Sequence, residues 1–180
     1  MHIVSLSGSS SPRSRSRWLL QLAQTRLEGC ASSSSVIAVR ELPGAALIDA
    51  DTRAEPIRRA IEHIRRADVV LVATPIYKAA YSGLLKLFLD LLPPDALRGK
   101  TVLPLATGGS LAHFLALDYA LKPVLAALGA RDILDGVYAT DAQLAPHESG
   151  GFVPDAVLVE RLERALQPLE PLHVEARCRA

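Results

Sequence analysis

The sequence predicts an α/β fold, a five-stranded parallel sheet covered by helices on both faces. Short apolar runs alternate with longer segments of helical periodicity, the pattern of repeated strand–helix–strand units. The apolar runs are almost continuous in Val, Ile and Leu, as expected of strands buried on both faces. A length of 180 residues, 49% of them apolar, suits one domain with a full core.

The strands are predicted at residues 2–7, 35–39, 69–73, 102–106 and 133–138. The helices are predicted at residues 16–27, 55–66, 82–92, 111–128 and 155–167, several opened by a capping residue or closed by Gly or Pro. The low-complexity run from Ser32 to Ser35 reads as a surface connection. No linker or repeat marks a second domain, so residues 1–170 are expected to form one unit and 171–180 a frayed tail. The third predicted helix carries Leu84, Leu85, Leu87, Phe88, Leu89, Leu91 and Leu92, leaving only Lys86 and Asp90 as a polar strip. An apolar girth of that width needs cover on two sides, which predicts a homodimer or homotetramer.

The formal charge of +1 and 4% aromatic content exclude a strongly basic or stacking-rich surface for nucleic acid and point to a small-molecule partner. The start at Met1 runs directly into a strand, with no basic segment or cleavage-like site, which predicts a cytoplasmic protein. Cys30 and Cys178 are far apart in sequence, match reduced thiols, and offer neither a disulfide framework nor a metal site.

Ligands of open parallel sheets sit beyond the carboxyl ends of the strands, which directs attention to the loops after strands one, three and four. The first loop runs from Gly8 to Ser16 and packs Ser9, Ser14, Ser16, Arg13 and Arg15 between a buried strand and a helix start. Hydroxyls and free backbone N–H groups at that position suit a phosphate, although one serine could simply cap the helix. Neither Gly-x-Gly-x-x-Gly nor a Gly-Lys-Ser/Thr ending is present, which favours a monophosphate over a dinucleotide or P-loop site. After strand three, Pro75, Ile76, Tyr77 and Lys78 form a loop suited to a planar ring. After strand four, Thr107, Gly108, Gly109 and Ser110 permit close backbone approach. No histidine is placed for acid–base work, and no Gly-x-Ser-x-Gly elbow supports a serine hydrolase. Pro123 lies well inside the fourth predicted helix, where its missing N–H must open the ladder at the Tyr119 carbonyl, by a kink or by a π-type turn.

Three stretches carry a family resemblance: residues 73–83 around Pro75 to Lys78, residues 103–109 ending in Thr107-Gly108-Gly109, and residues 118–125 around Tyr119 and Pro123. Through them the chain resembles the NADPH-dependent FMN reductases, most closely those of bacterial alkanesulfonate monooxygenase systems, over residues 1–145. The resemblance implies a flavodoxin-like sheet of order 2-1-3-4-5. It also implies FMN as flavin, NADPH or NADH as reductant, and an FMNH2-dependent monooxygenase as the consumer of the product. Ser9, Ser14 and Ser16 with Arg15 would hold the FMN phosphate, and Pro75 to Lys78 with Thr107 to Ser110 would frame the isoalloxazine. Where the family commonly has Arg two places after the first loop serine, this chain has Ser11, and a guanidinium stands at Arg13 instead. The choice between Arg13 and Arg15 therefore stays open. Related reductases carry a π-helix around a tyrosine matching Tyr119, a feature associated with flavin used as a passing substrate. The competing readings are a quinone or azo reductase with retained FMN and a non-enzymatic flavodoxin.

Overall fold

A computed structural model of the chain describes residues 1–170. The predicted tail, with Cys178, lies outside the described residues. The elements in order are β1 (His2–Ser7), α1 (Arg15–Leu27), β2 (Ser33–Ala38), α2 (Gly44–Ile48), α3 (Glu55–Arg66), β3 (Val69–Tyr77), β4 (Ala80–Tyr81) and α4 (Gly83–Leu89). After these come β5 (Thr101–Gly108), a π-helix (Leu117–Leu121), α5 (Lys122–Ala127), β6 (Asp132–Ile133), β7 (Val137–Thr140), β8 (Leu144–Pro146), β9 (Phe152–Pro154) and α6 (Ala156–Leu166). The main sheet runs β2-β1-β3-β5, with β6 and β7 sharing the edge beyond β5. This is the flavodoxin-like order expected.

Side chains alternate across each central strand, so one strand feeds two cores. Val4, Leu6, Val70, Val72 and Val102 face the layer of α3, α4 and α5. Ile3, Leu71, Leu103 and Leu105 face α1 and α6, where Leu19, Leu20, Leu158 and Leu162 meet them. Each fully buried side chain of this size contributes roughly 1.5–3 kcal/mol.

The sheet has seven strands, not five. One addition is β4, which folds back on β3 as a short hairpin. The other arises because the predicted fifth strand, 133–138, is broken. Val102 lies opposite Ile133 and Leu105 opposite Val137, which leaves Leu134 to Gly136 out of register beside Pro104. In a parallel strand alternate residues point their peptide groups to the same side, and the Val102 carbonyl accepts from Leu134 N. Pro104 therefore faces the same edge with no N–H to offer, and the ladder parts there. A Cβ on Gly136 would lie 3.3 Å from the Pro104 carbonyl oxygen and 2.8 Å from Leu117, so glycine lets the unpaired segment close over the gap.

Three further boundaries differ from expectation. The serines taken for a connection belong to β2, where Ser33, Ser34 and Ser35 pair with His2, Ile3 and Val4. An edge strand pairs through its backbone on one side only and tolerates polar side chains there. The third predicted helix ends at Leu89, so Leu91 and Leu92 turn inward past its end. Of its seven apolar residues only Leu84 and Leu87 are not buried by the chain itself, which weakens the girth argument for a partner on this helix. The fourth predicted helix, 111–128, is instead a 3-10 turn at Leu111–His113, the π-helix and α5, with Pro123 in the first turn of α5. No helix among the described residues is long and apolar enough to cross a membrane.

Candidate active site

The parallel register brings three loops together at one end of the sheet. Ser7 pairs with Ala73 and Pro75 with Thr107, so the first, third and fourth loops leave side by side. They enclose a cleft of about 240 Å3. Ser9, Ser14, Arg15, Pro75, Ile76, Tyr77, Thr107, Gly108 and Gly109 line it, together with Ser11, Arg13 and Asp141. Ser16, Lys78, Ser110 and Tyr119 stand outside this lining.

The first loop is built around the start of α1. Ser14 caps the helix, its Oγ accepting from Arg17 N at 3.3 Å. Ser16 is fully buried and shares a 2.9 Å hydrogen bond with Ser14 Oγ, so it holds the capping hydroxyl and is not itself presented to the cleft. Ser9, 2% exposed, accepts from Ser11 N at 3.2 Å, which curls the loop over the helix end. The N–H groups of the first helical turn have no helical acceptor, and no acidic residue occupies that turn. With Arg17 N–H taken by the cap, those of Arg15 and Ser16, with the Ser9 and Ser14 hydroxyls, fit an anion.

The two arginines differ in what they touch. Arg15 donates through Nε to the Leu144 carbonyl at 3.1 Å, lies 3.6 Å from the Asp141 carboxylate, and stacks over Phe152 at 4.9 Å. It fastens α1 to the segment leading into the β8–β9 hairpin. Arg13 is exposed, and its guanidinium makes no hydrogen bond or ion pair among the described residues. Arg13 is thus the cation in the lining left free for a phosphate.

The third loop is a tight hairpin. Tyr77 pairs with Ala80, leaving Lys78 (φ 51°) and Ala79 (φ 62°) as its two turn residues. Both hold a left-handed backbone without being glycine, which costs roughly 1–2 kcal/mol each. Lys78 lies outside the cleft lining, with Tyr77 at its wall. In the fourth loop a Cβ at Gly108 would lie 2.3 Å from the Tyr138 hydroxyl, so no larger residue fits there. That hydroxyl donates to the Ser110 carbonyl at 2.7 Å. Burial, with the nearby Asp141 charge, raises the Tyr138 pKa, which keeps the hydroxyl a donor. Gly109, by contrast, would direct a Cβ into open space, leaving its backbone approachable.

Ser82, Asp141 and Tyr138 were not singled out from sequence. Ser82 donates from its Oγ to the Gly8 carbonyl and accepts from Leu85 N at 3.1 Å, while its N–H donates to Thr74 Oγ1 at 3.0 Å. One buried serine thereby ties the first loop to the third and caps α4. Gly8 itself must be glycine, since a Cβ would lie 2.6 Å from Leu85 Cβ. Ser82→Ala is expected to destabilise the chain by about 1–3 kcal/mol, because the buried Gly8 carbonyl loses its donor. Denaturant unfolding checks this; a shift below about 0.5 kcal/mol would show that the tie is dispensable.

The NADPH-dependent FMN reductase family profile matches residues 1–145. The FMN reductase (NADPH) of Escherichia coli (strain K12) is 46% identical over 168 residues, covering 93% of this chain and 87% of that relative. The NADH-dependent FMN reductase SfnF of Pseudomonas putida is 33% identical over 170 residues, covering 92% and 89%. Among solved structures, apo NADH:FMN oxidoreductase (EMOB) superposes with a TM-score of 0.85 at 38% identity, covering 93% of this chain and 87% of that one. A cleft at the strand ends, on a sheet of this order and with likeness along nearly the whole length, leads to one assignment: the chain belongs to the NADPH-dependent FMN reductase family and is an oxidoreductase.

Proposed function

We propose that this reductase uses FMN as a passing substrate, taking hydride from NADPH and supplying reduced FMN to a monooxygenase that desulfonates alkanesulfonates. The observation that carries the reading is the π-helix at Leu117–Leu121, which packs against β4 behind the ring-framing hairpin and leaves Tyr119 79% exposed. The resemblance associates such a helix with flavin that comes and goes. FMN, when bound, supplies the two-electron acceptor. Ser9, Ser14 and Arg13 would hold its phosphate. Pro75 to Tyr77 and Thr107 to Gly109 would orient its ring and exclude water from one side. No side chain is asked to move a proton, since direct hydride transfer needs orientation above all.

Stopped-flow mixing of flavin-free protein with FMN and each nicotinamide tests this. FMN bleaching in step with NADPH loss, with reduced flavin recovered in the ultrafiltrate, is the expected result. Ping-pong kinetics with FMN retained on the protein would favour a quinone or azo reductase instead.

We also propose a homo-oligomer. Its seat is the surface of Leu111, Phe114, Leu115 and Tyr119, each at least 45% exposed, and not α4 alone. Light scattering at micromolar concentration should give a multiple of the 19.3 kDa chain mass. A monomer would refute it.

A further inference from the structure

A second, larger groove of about 770 Å3 lies between α1 and the β8–β9 hairpin. It shares Arg13 and Ser14 with the cleft, so a molecule seated in one can continue into the other. We propose that this groove receives the adenosine half of the nicotinamide cofactor, with Arg17 and Glu148 setting the response to a 2′-phosphate. The proposal rests on the reading that the chain oxidises NAD(P)H.

Size and chemistry both suit a nucleotide. Small-molecule sites commonly measure about 300–1,000 Å3. The pyrophosphate would cross at the border of the two spaces, beside the flavin phosphate, where the Arg13 guanidinium has donors enough to reach both. Farther along, the wall contains Trp18, whose indole offers a surface on which a base can stack. The hairpin tip turns through Gly150 (φ 94°) and Gly151 (φ 80°), and the second of these sits against the indole. A Cβ on Gly151 would lie 3.1 Å from Trp18 Nε1, so the close approach depends on glycine.

The charges in the groove oppose one another. Arg17, half-buried, lies 3.5 Å from the exposed Glu41, a surface pair that contributes little and can yield to a phosphate. Glu148, on the hairpin, lines the same groove. A carboxylate there accepts hydrogen bonds from free ribose hydroxyls and repels a 2′-phosphate, whereas a guanidinium does the reverse. The balance of Arg17 against Glu148 thus decides how strongly NADPH is preferred over NADH.

Trp18 is the only tryptophan of the chain, so its emission reports on the groove directly. Flavin-free protein titrated with adenosine 2′,5′-bisphosphate should show a saturable emission change. Arg17→Ala should raise its half-saturation about tenfold, and Glu148→Gln should lower it severalfold, with AMP much less affected by either. In turnover Arg17→Ala should raise KM for NADPH about tenfold and leave KM for FMN in place. No emission change up to millimolar bisphosphate would overturn the proposal, as would equal weakening of bisphosphate and AMP. A rise in KM for FMN in place of NADPH would do so too, by giving Arg17 to the flavin. Because the titration involves no turnover, a chain that binds the bisphosphate yet fails to reduce FMN would refute the proposed function and leave nucleotide binding in the groove standing.

Discussion

Tyr119→Ala is expected to give a folded protein that purifies yellow, retains FMN, and passes electrons to free flavin at least tenfold more slowly. The expectation begins with Pro123, which has no N–H for the Tyr119 carbonyl four residues back. The chain responds by widening: Lys122 N–H reaches the Leu117 carbonyl, five residues back, and the segment becomes a π-helix. An ion pair between Asp118 and Lys122 at 2.6 Å spans the widened turn. A simple proline kink with Tyr119 packed in the core is thereby excluded, since Tyr119 is largely exposed. Within the single chain, removing this ring should cost little stability, typically within about 0.5 kcal/mol, and because Tyr119 also belongs to the proposed oligomer surface, light scattering of the variant separates a change in flavin retention from a change in assembly. The π-helix packs against β4 of the β3–β4 hairpin, through which a change at Tyr119 would reach Pro75 to Tyr77. Absorbance of the purified protein and steady-state oxidation of NADPH with free FMN check the expectation. A colourless variant with unchanged turnover would show that Tyr119 has no part in flavin release.

The combined variant Ser9→Ala, Ser14→Ala should weaken FMN about five- to 150-fold more than riboflavin. Lost hydrogen bonds to a charged phosphate are worth about 1–3 kcal/mol, and riboflavin has no phosphate to lose them. Ser14 is also the cap of α1, so its removal should destabilise the helix by about 0.5–2 kcal/mol for either ligand. Ser9→Ala alone separates the two effects, because it leaves the cap in place, whereas a frayed first turn would also withdraw N–H donors from the phosphate. Binding measured by quenching of flavin fluorescence decides it; equal losses would sink the phosphate assignment.

The sequence by itself determined the layered α/β architecture, the strand-end loops that meet at the cleft, and the disturbance at Pro123. These are local matters: a period of two or 3.6 residues, a run of Val and Leu, or a missing N–H is written wherever it acts. What a side chain meets across the sheet is not. The gap between β6 and β7 required knowing that Pro104 faces that edge. Arg13 and Arg15 are equivalent on paper, and only the hairpin carrying Phe152, with Leu144 and Asp141 before it, separates the engaged guanidinium from the free one. Ser16 reads as a phosphate ligand until its neighbour Ser14 is seen to take its hydroxyl. Ser82 looks like an ordinary helix cap until the parallel register brings Gly8 within its reach, 74 residues away along the chain. Tertiary structure decided each of these because a hydrogen bond or ion pair depends on distances of a few ångströms between residues that sequence order leaves far apart.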